Sequence, residues 1–240
     1  MTFQFSDFEN ESTGTVPSGW SVGEKSSGDR VDVTDYVAIQ GDKSFLIRDS
    51  TGGWAEAYHS VGDESIEFAV DFNQDAQIRY SRQIEWFAEN SDGTVLWSYL
   101  FTDDGSGDTF EIYYDTATQD IQGPGTGTNV GSVAIGPHEI RIDEPQNGIS
   151  LIIDGETVHS STDSFLGASE LWLRSDDISA YYDGAVSYSD FVYHENDAVG
   201  LGAASHDYVI EGGEDSDSAL VSDRGDSDFV SISGRGVGHE

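Results

Sequence analysis

His138-Glu139-Ile140-Arg141-Ile142-Asp143, followed by Ile149-Ser150-Leu151-Ile152-Ile153-Asp154-Gly155 and then Val158, is the stretch on which the fold turns. In an extended chain the first segment puts Ile140 and Ile142 on one face and charged residues on the other. Pro145 to Gly148 is a turn cluster, with Asn147-Gly148 its tightest signal, and Ile149 to Ile153 is an isoleucine-rich run. Asp154-Gly155 marks a second tight turn. The 137–160 segment therefore predicts a hairpin that opens the second half of an antiparallel, two-sheet β-sandwich.

The flanking sequence keeps the same rhythm. Upstream, Phe3 to Phe8, Val31 to Ile39, Ser44 to Arg48 and Ser65 to Phe72 read as strands, the last with Ile66, Phe68 and Val70 on one face and Glu67 and Asp71 on the other. Ile84 to Glu89, Thr94 to Thr102 and Phe110 to Tyr114 follow. In the second of these Trp97, Tyr99 and Phe101 oppose Leu96 and Leu100, so both faces are covered or one lines a groove. Gln119 to Gly131, rich in glycine and threonine, reads as a long loop. Downstream, Ser169 to Arg174 is a strand containing Trp172, Tyr181-Tyr182-Asp183-Gly184 reads as a turn, and Ala185 to His194 closes the sandwich. The composition shifts near Asp197, giving a domain over 1–197 and a Gly/Ser/Asp-rich C-terminal extension over 198–240. Its two short apolar runs, Asp207 to Ile210 and Asp228 to Ile232, suit strands that order against a partner.

Composition limits the function. Of 240 residues, 46 are Asp or Glu and 10 are Lys or Arg, a formal net charge of -36, and Lys25 and Lys43 are the lysines. A surface so acidic repels itself in dilute buffer, whereas at about 1 M salt the Debye length falls to about 3 Å and the repulsion is screened. The charge predicts a protein built for molar salt. It excludes nucleic acid as a partner, because no basic patch exists to displace phosphate counterions. Hydrophobic residues at 36% and aromatic residues at 12% suffice to fill a core, and the lack of cysteine removes disulfides, thiolate metal sites and thiol nucleophiles together. Met1-Thr2-Phe3 leads directly into Phe5, Asp7 and Glu9 with neither a basic n-region nor an apolar h-region, and no apolar run approaches about 18 residues, so no membrane insertion is expected.

Asp7-Phe8-Glu9-Asn10, Gly19-Trp20, Gly41 to Ile47, Ile149 to Gly155 and Ser187 to Val192, in that order, resemble the laminin-G-like and concanavalin A-like jelly rolls. They are also similar to jelly-roll carbohydrate-binding modules. The resemblance spans about residues 3–195 and rests on the ordering of segments. It implies an all-β, two-sheet antiparallel jelly-roll sandwich that binds glycans or proteins on one sheet face or on its loops. It also implies a structural calcium near the first and last strands, with Glu9, the carbonyl of Lys43 and Asp190 as ligands, a donor set of the oxygen type that calcium takes. Trp54, Trp97, Tyr99 and Tyr113 are the candidate ligand-binding aromatics. Several glycoside hydrolases of this architecture set paired acids along one strand, often as Glu-x-Asp-x-x-Glu. Glu67 to Asp71 and Glu85 to Glu89 come nearest, but neither has the middle acid at the required offset, and both read as solvent-facing acids.

The remaining motifs carry less. The six histidines show no pair at metal-ligand spacing, and no serine sits in a nucleophile elbow. Asp215-Ser216-Asp217 lacks the rest of an EF-hand loop, and Arg224-Gly225-Asp226 falls in a segment rich in those residues. The resulting expectation is a non-enzymatic virion surface protein of a halophilic archaeal virus, extracellular in high salt and a homo-oligomer. Its partners would be cell-surface glycans or other virion proteins. A secreted carbohydrate-binding module and a glycosidase using Glu85 and Glu89 stand as alternatives.

Overall fold

The computed structural model describes residues 4–6, 8–39, 41–50, 53–61, 64–73, 82–103, 108–117, 127–143, 148–162, 167–189, 218–221 and 230–233. Every regular element among them is a strand. In chain order they are β1 (Gln4–Ser6), β2 (Trp20–Val22), β3 (Arg30–Thr34), β4 (Ser44–Arg48), β5 (Ala55–Ser60), β6 (Glu64–Asn73), β7 (Gln83–Asn90), β8 (Val95–Asp103) and β9 (Thr109–Asp115). There follow β10 (Thr128–Ala134), β11 (Pro137–Asp143), β12 (Ile149–Ile153), β13 (Glu156–Ser161), β14 (Ala168–Asp176), β15 (Ser179–Ser189), β16 (Ser218–Val221) and β17 (Val230–Ser233).

Two antiparallel sheets form the jelly-roll sandwich. The first runs β13-β12-β11-β6-β15-β4-β3, with β1 also paired to β15, and the second runs β10-β9-β8-β7-β14-β5-β2. The two closing strands, β14 and β15, lie inside their sheets rather than at an edge, joining early strands to middle ones. Period-two alternation assigns the core. Val31, Val33, Phe45, Ile47, Ile66, Val70, Phe72, Ile140, Ile142, Leu151 and Tyr182 of the first sheet face Ala55, Ala57, Ile84, Trp86, Trp97, Tyr99, Phe101, Phe110, Ile112, Leu171 and Leu173 of the second. Trp86 donates from Nε1 to the Tyr182 hydroxyl across the interior at 3.0 Å, satisfying a donor that burial would otherwise strand.

The 137–160 hairpin forms as the sequence predicts, with Ile140 opposite Ile153 and Ile142 opposite Leu151. Asp154 and Gly155 turn the chain with φ of 52° and 79°. The Asp154 carboxylate accepts the Glu139 amide at 3.0 Å and contacts His138 Nδ1 at 2.8 Å, which ties the turn back onto β11. The hairpin sits at one edge of the first sheet, however; the centre belongs to β14 and β15. Residues 145–147 of its first turn lie outside the described residues.

Other expectations change. Tyr181-Tyr182-Asp183-Gly184 is no turn but the middle of β15, where the pairing with β6 shifts between Asp183 and Ala185. Asp183-Gly184 there makes a bulge. Part of the loop expected over 119–131 is β10, paired to β9 with a shift between Asn129 and Gly131; residues 118–126 lie outside the described residues. Val31 to Ile39 is a strand only to Thr34, and Ala55–Ser60 is a strand that the glycine run before it concealed.

Thr2–Ser189 is one compact unit and Asp190–Glu240 belongs to another. Within the second, β16 and β17 form an antiparallel hairpin with Ala219 opposite Ile232. The expected boundary at 197 and the run at 207–210 lie outside the described residues.

Candidate functional site: the outer face of the second sheet

Ile84 and Trp86 point into the core, so Glu85 and Phe87 must point out, and Glu89 follows with the same parity. The same logic on β14 buries Leu171 and Leu173 and turns Trp172 and Arg174 outward. Register then assembles a row across the sheet: Tyr113 opposite Leu100, Leu100 opposite Glu85, Glu85 opposite Arg174, and Arg174 opposite Glu56. The next row holds Ser98, Phe87, Trp172 and Tyr58.

Arg174 is the hub. Its Nη1 donates to Glu85 Oε2 at 3.2 Å, its Nε lies 2.7 Å from Glu56 Oε1, and its guanidinium stands 4.3 Å from the Phe87 ring centroid and 5.7 Å from that of Trp54. Glu85 is fully buried, and its other oxygen accepts Ser98 Oγ at 2.6 Å, so both of its oxygens are engaged. Glu56 accepts the Glu24 amide at 3.0 Å. A Cβ on Gly23 would collide with Glu56 and Trp172, so the chain after β2 can lie this close only as glycine. Beside the hub, Trp172 is sandwiched between Tyr58 at 4.5 Å and Phe87 at 5.7 Å, near-parallel to both. The Trp172 Nε1 is buried without a hydrogen-bond partner. Burial pushes the Glu89 carboxyl above the usual glutamate range, and the charges of Glu170 and Glu56 push the same way against Arg174.

The four aromatic candidates divide. Trp97 and Tyr99 are fully buried in the core, the reverse of the groove-facing placement expected for them. β8 is apolar on both sides and Leu100 takes the outer one, opposite Glu85. The Tyr99 hydroxyl meets His159 Nδ1 at 3.0 Å, which gives a buried phenol its partner. Tyr113 is on the outer face, its hydroxyl donating to Glu111 at 2.7 Å, and that bond together with burial raises the phenol above its ordinary range. Trp54 is 8% exposed beside Arg174. Glu85 is not the solvent-facing acid expected, being sealed by its ion pair, whereas Asp71 keeps the outward parity of β6 and is half-buried there, which raises its carboxyl. Sequence reasoning missed Glu56, Tyr58, Phe87, Trp172 and Arg174. The Leu-x-Leu spacing at 171–173 was the signal for the last two.

The calcium set does not fit. Glu9 Oε1 accepts the amides of Asp42 at 2.8 Å and Lys43 at 2.9 Å, and the Lys43 ammonium donates to the carbonyls of Glu9 and Glu11, each at 2.8 Å. An internal cation thus already holds this corner, and a divalent ion beside it would meet a like charge. Asp190 lies outside the described residues.

No family model and no curated protein matches the chain. Among solved structures it is similar to a Bacillus licheniformis beta-glucanase, at 13% identity over 78% of this chain and 98% of that one with a TM-score of 0.51. It is also similar to the Crh5 transglycosylase in complex with NAG, at 15% identity over 79% and 84% with a TM-score of 0.53. An endo-acting O-glycanase expressed by members of the human gut microbiota gives 8% identity over 78% and 98%, again with a TM-score of 0.53. At these identities the likeness shows a shared jelly-roll fold.

Proposed function

We propose that the chain is a non-catalytic, lectin-like protein that recognises glycans on the outer face of its second sheet. The observation that carries this is the gathering of the partly exposed Tyr58, Trp172 and Tyr113 with Glu89 and Arg174 on one face, over the buried Phe87, Glu56 and Glu85, apolar rings beside hydrogen-bonding groups. Sugars offer alternating apolar C–H patches and hydroxyls, which such a surface matches. The similar beta-glucanase, transglycosylase and O-glycanase are carbohydrate-active by name, which supports the class of ligand. Against catalysis, Glu85 has both oxygens occupied by Ser98 and Arg174, and Phe87 stands between Glu85 and Glu89 on that face.

The net charge of -36 supports work in molar salt, and for such an environment we further propose a role at the virion surface of a halophilic archaeal virus. There it would act as a homo-oligomer, with residues 198–240 engaging neighbouring proteins. Glycan-array binding in about 1 M KCl, where the Debye length is about 3 Å, tests the recognition. Binding by the wild type that Tyr58→Ala and Tyr113→Ala abolish is the expected result; no binding to any glycan overturns it. Purified virions carrying the protein would support its placement.

A hydrolase is the second reading, favoured by Glu85 and Glu89 sharing one face of β7 and by the raised Glu89 carboxyl, which suits a general acid. Release of reducing sugar that both Glu85→Gln and Glu89→Gln abolish would replace the binding reading.

A further inference from the structure

We propose that the end of the sandwich where β4 and β14 finish binds one calcium ion. Its ligands are the carboxylates of Asp49, Asp176 and Asp177 and the side-chain carbonyl of Gln83.

Asp49 follows β4 of the first sheet, Asp176 ends β14 of the second, and Asp177 begins the turn into β15. One oxygen from each of the three carboxylates lies within 4.8 Å of the others. Oxygens on opposite sides of a calcium ion are about 4.6–5.2 Å apart, so the three lie within the span of one coordination shell. The Asp177 amide donates to Asp49 Oδ2 at 3.0 Å and holds that carboxylate in the cluster. Asp49 and Asp176 are only 3% and 4% exposed, so their charges are concentrated away from water.

Carboxylates that cluster are common in a chain with 46 acids, and Gln83 is what sets this group apart. Gln83 is 3% exposed and stands directly opposite Asp176 in the β7–β14 ladder, hence on the same face. Its Oε1 is buried with no hydrogen-bond partner. A bare buried carbonyl on the strand that faces crowded carboxylates is an acceptor without a donor. A hard cation that takes six to eight oxygen ligands serves the carbonyl and the carboxylates together, with water completing the shell. The ion would clamp the end of one sheet to the end of the other. The site shares no residue with the Glu9–Lys43 corner and is independent of the glycan reading.

The test is calorimetric titration of EDTA-treated protein with calcium chloride in about 1 M KCl, where diffuse attraction to the acidic surface is screened. One ion per chain is expected. Even outer-shell partners of a metal are worth about 10–100-fold in affinity, so Asp176→Asn should weaken binding at least about tenfold, and Gln83→Leu measurably. Glu9→Gln should leave affinity unchanged. No binding heat, several weak sites indifferent to Asp176→Asn, or unchanged affinity in either variant overturns the assignment. So does loss of binding in Glu9→Gln alone.

Discussion

Replacing Asp176 with asparagine should change the pH dependence of stability in a direction that the structure fixes. Burial, with the charges of Asp177 and Asp49, pushes the Asp176 carboxyl up to about 7 in the folded chain, against about 3.9 in an unfolded one. Between those values the folded state holds the proton more tightly. The group's contribution to stability is therefore present below about pH 4 and is lost as pH rises through about 7. Three pH units correspond to about 4 kcal/mol at full strength, and solvent reaching the half-buried Asp177 reduces the expected value to about 2 kcal/mol. Asparagine keeps the shape and a hydrogen-bond donor for Asp49 but carries no charge. In chelator the variant should match the wild type near pH 4 and exceed it by about 2 kcal/mol at pH 8. Urea unfolding followed by tryptophan fluorescence in about 1 M KCl measures the difference. A gap that is constant across pH, or a variant less stable than the wild type at pH 8, would refute the reasoning. Saturating calcium should reverse the order, since only the wild type then gains the ion.

Arg174→Leu strands the buried Glu85 carboxylate and should cost about 3 kcal/mol or more, with part recovered in the Arg174→Leu/Glu85→Gln double variant; equal melting temperatures for wild type and single variant would argue against the hub. Tyr182→Phe removes the acceptor of Trp86 Nε1 and should cost about 1–3 kcal/mol, read as a lowered urea midpoint with an unchanged slope. Dialysis to low salt should cause a reversible loss of structure visible in tryptophan fluorescence, and an unchanged spectrum would remove the molar-salt argument.

The fold was legible because its strands advertise their parity. Ile66 and Val70 on β6, Ile140 and Ile142 on β11, and the Asp154-Gly155 turn are local signals that the sheets simply obey. The site was less so, because the face a residue occupies is local only when one side of its strand is polar. β8 carries Trp97, Tyr99 and Phe101 against Leu96, Ser98 and Leu100, and the tie is broken by Glu85 on the neighbouring strand. Glu56, Glu85 and Arg174 are 29 or more positions apart in sequence from one strand to the next, and only the ladders bring them into one row. Gly184 misled for a different reason: glycine marks bulges inside strands as well as turns between them.

The interior placement of β14 and β15 dictates when the molecule can fold. Until residue 168 is available, β5 and β7 of one layer, and β4 and β6 of the other, have nothing between them. A nascent or truncated chain would expose four naked strand borders, each able to recruit a stranger. Apart from β6 with β11, the long-distance pairing must wait for the last two strands of the sandwich, so folding should be slow, finish late in synthesis, and fail as precipitation when translation stops early.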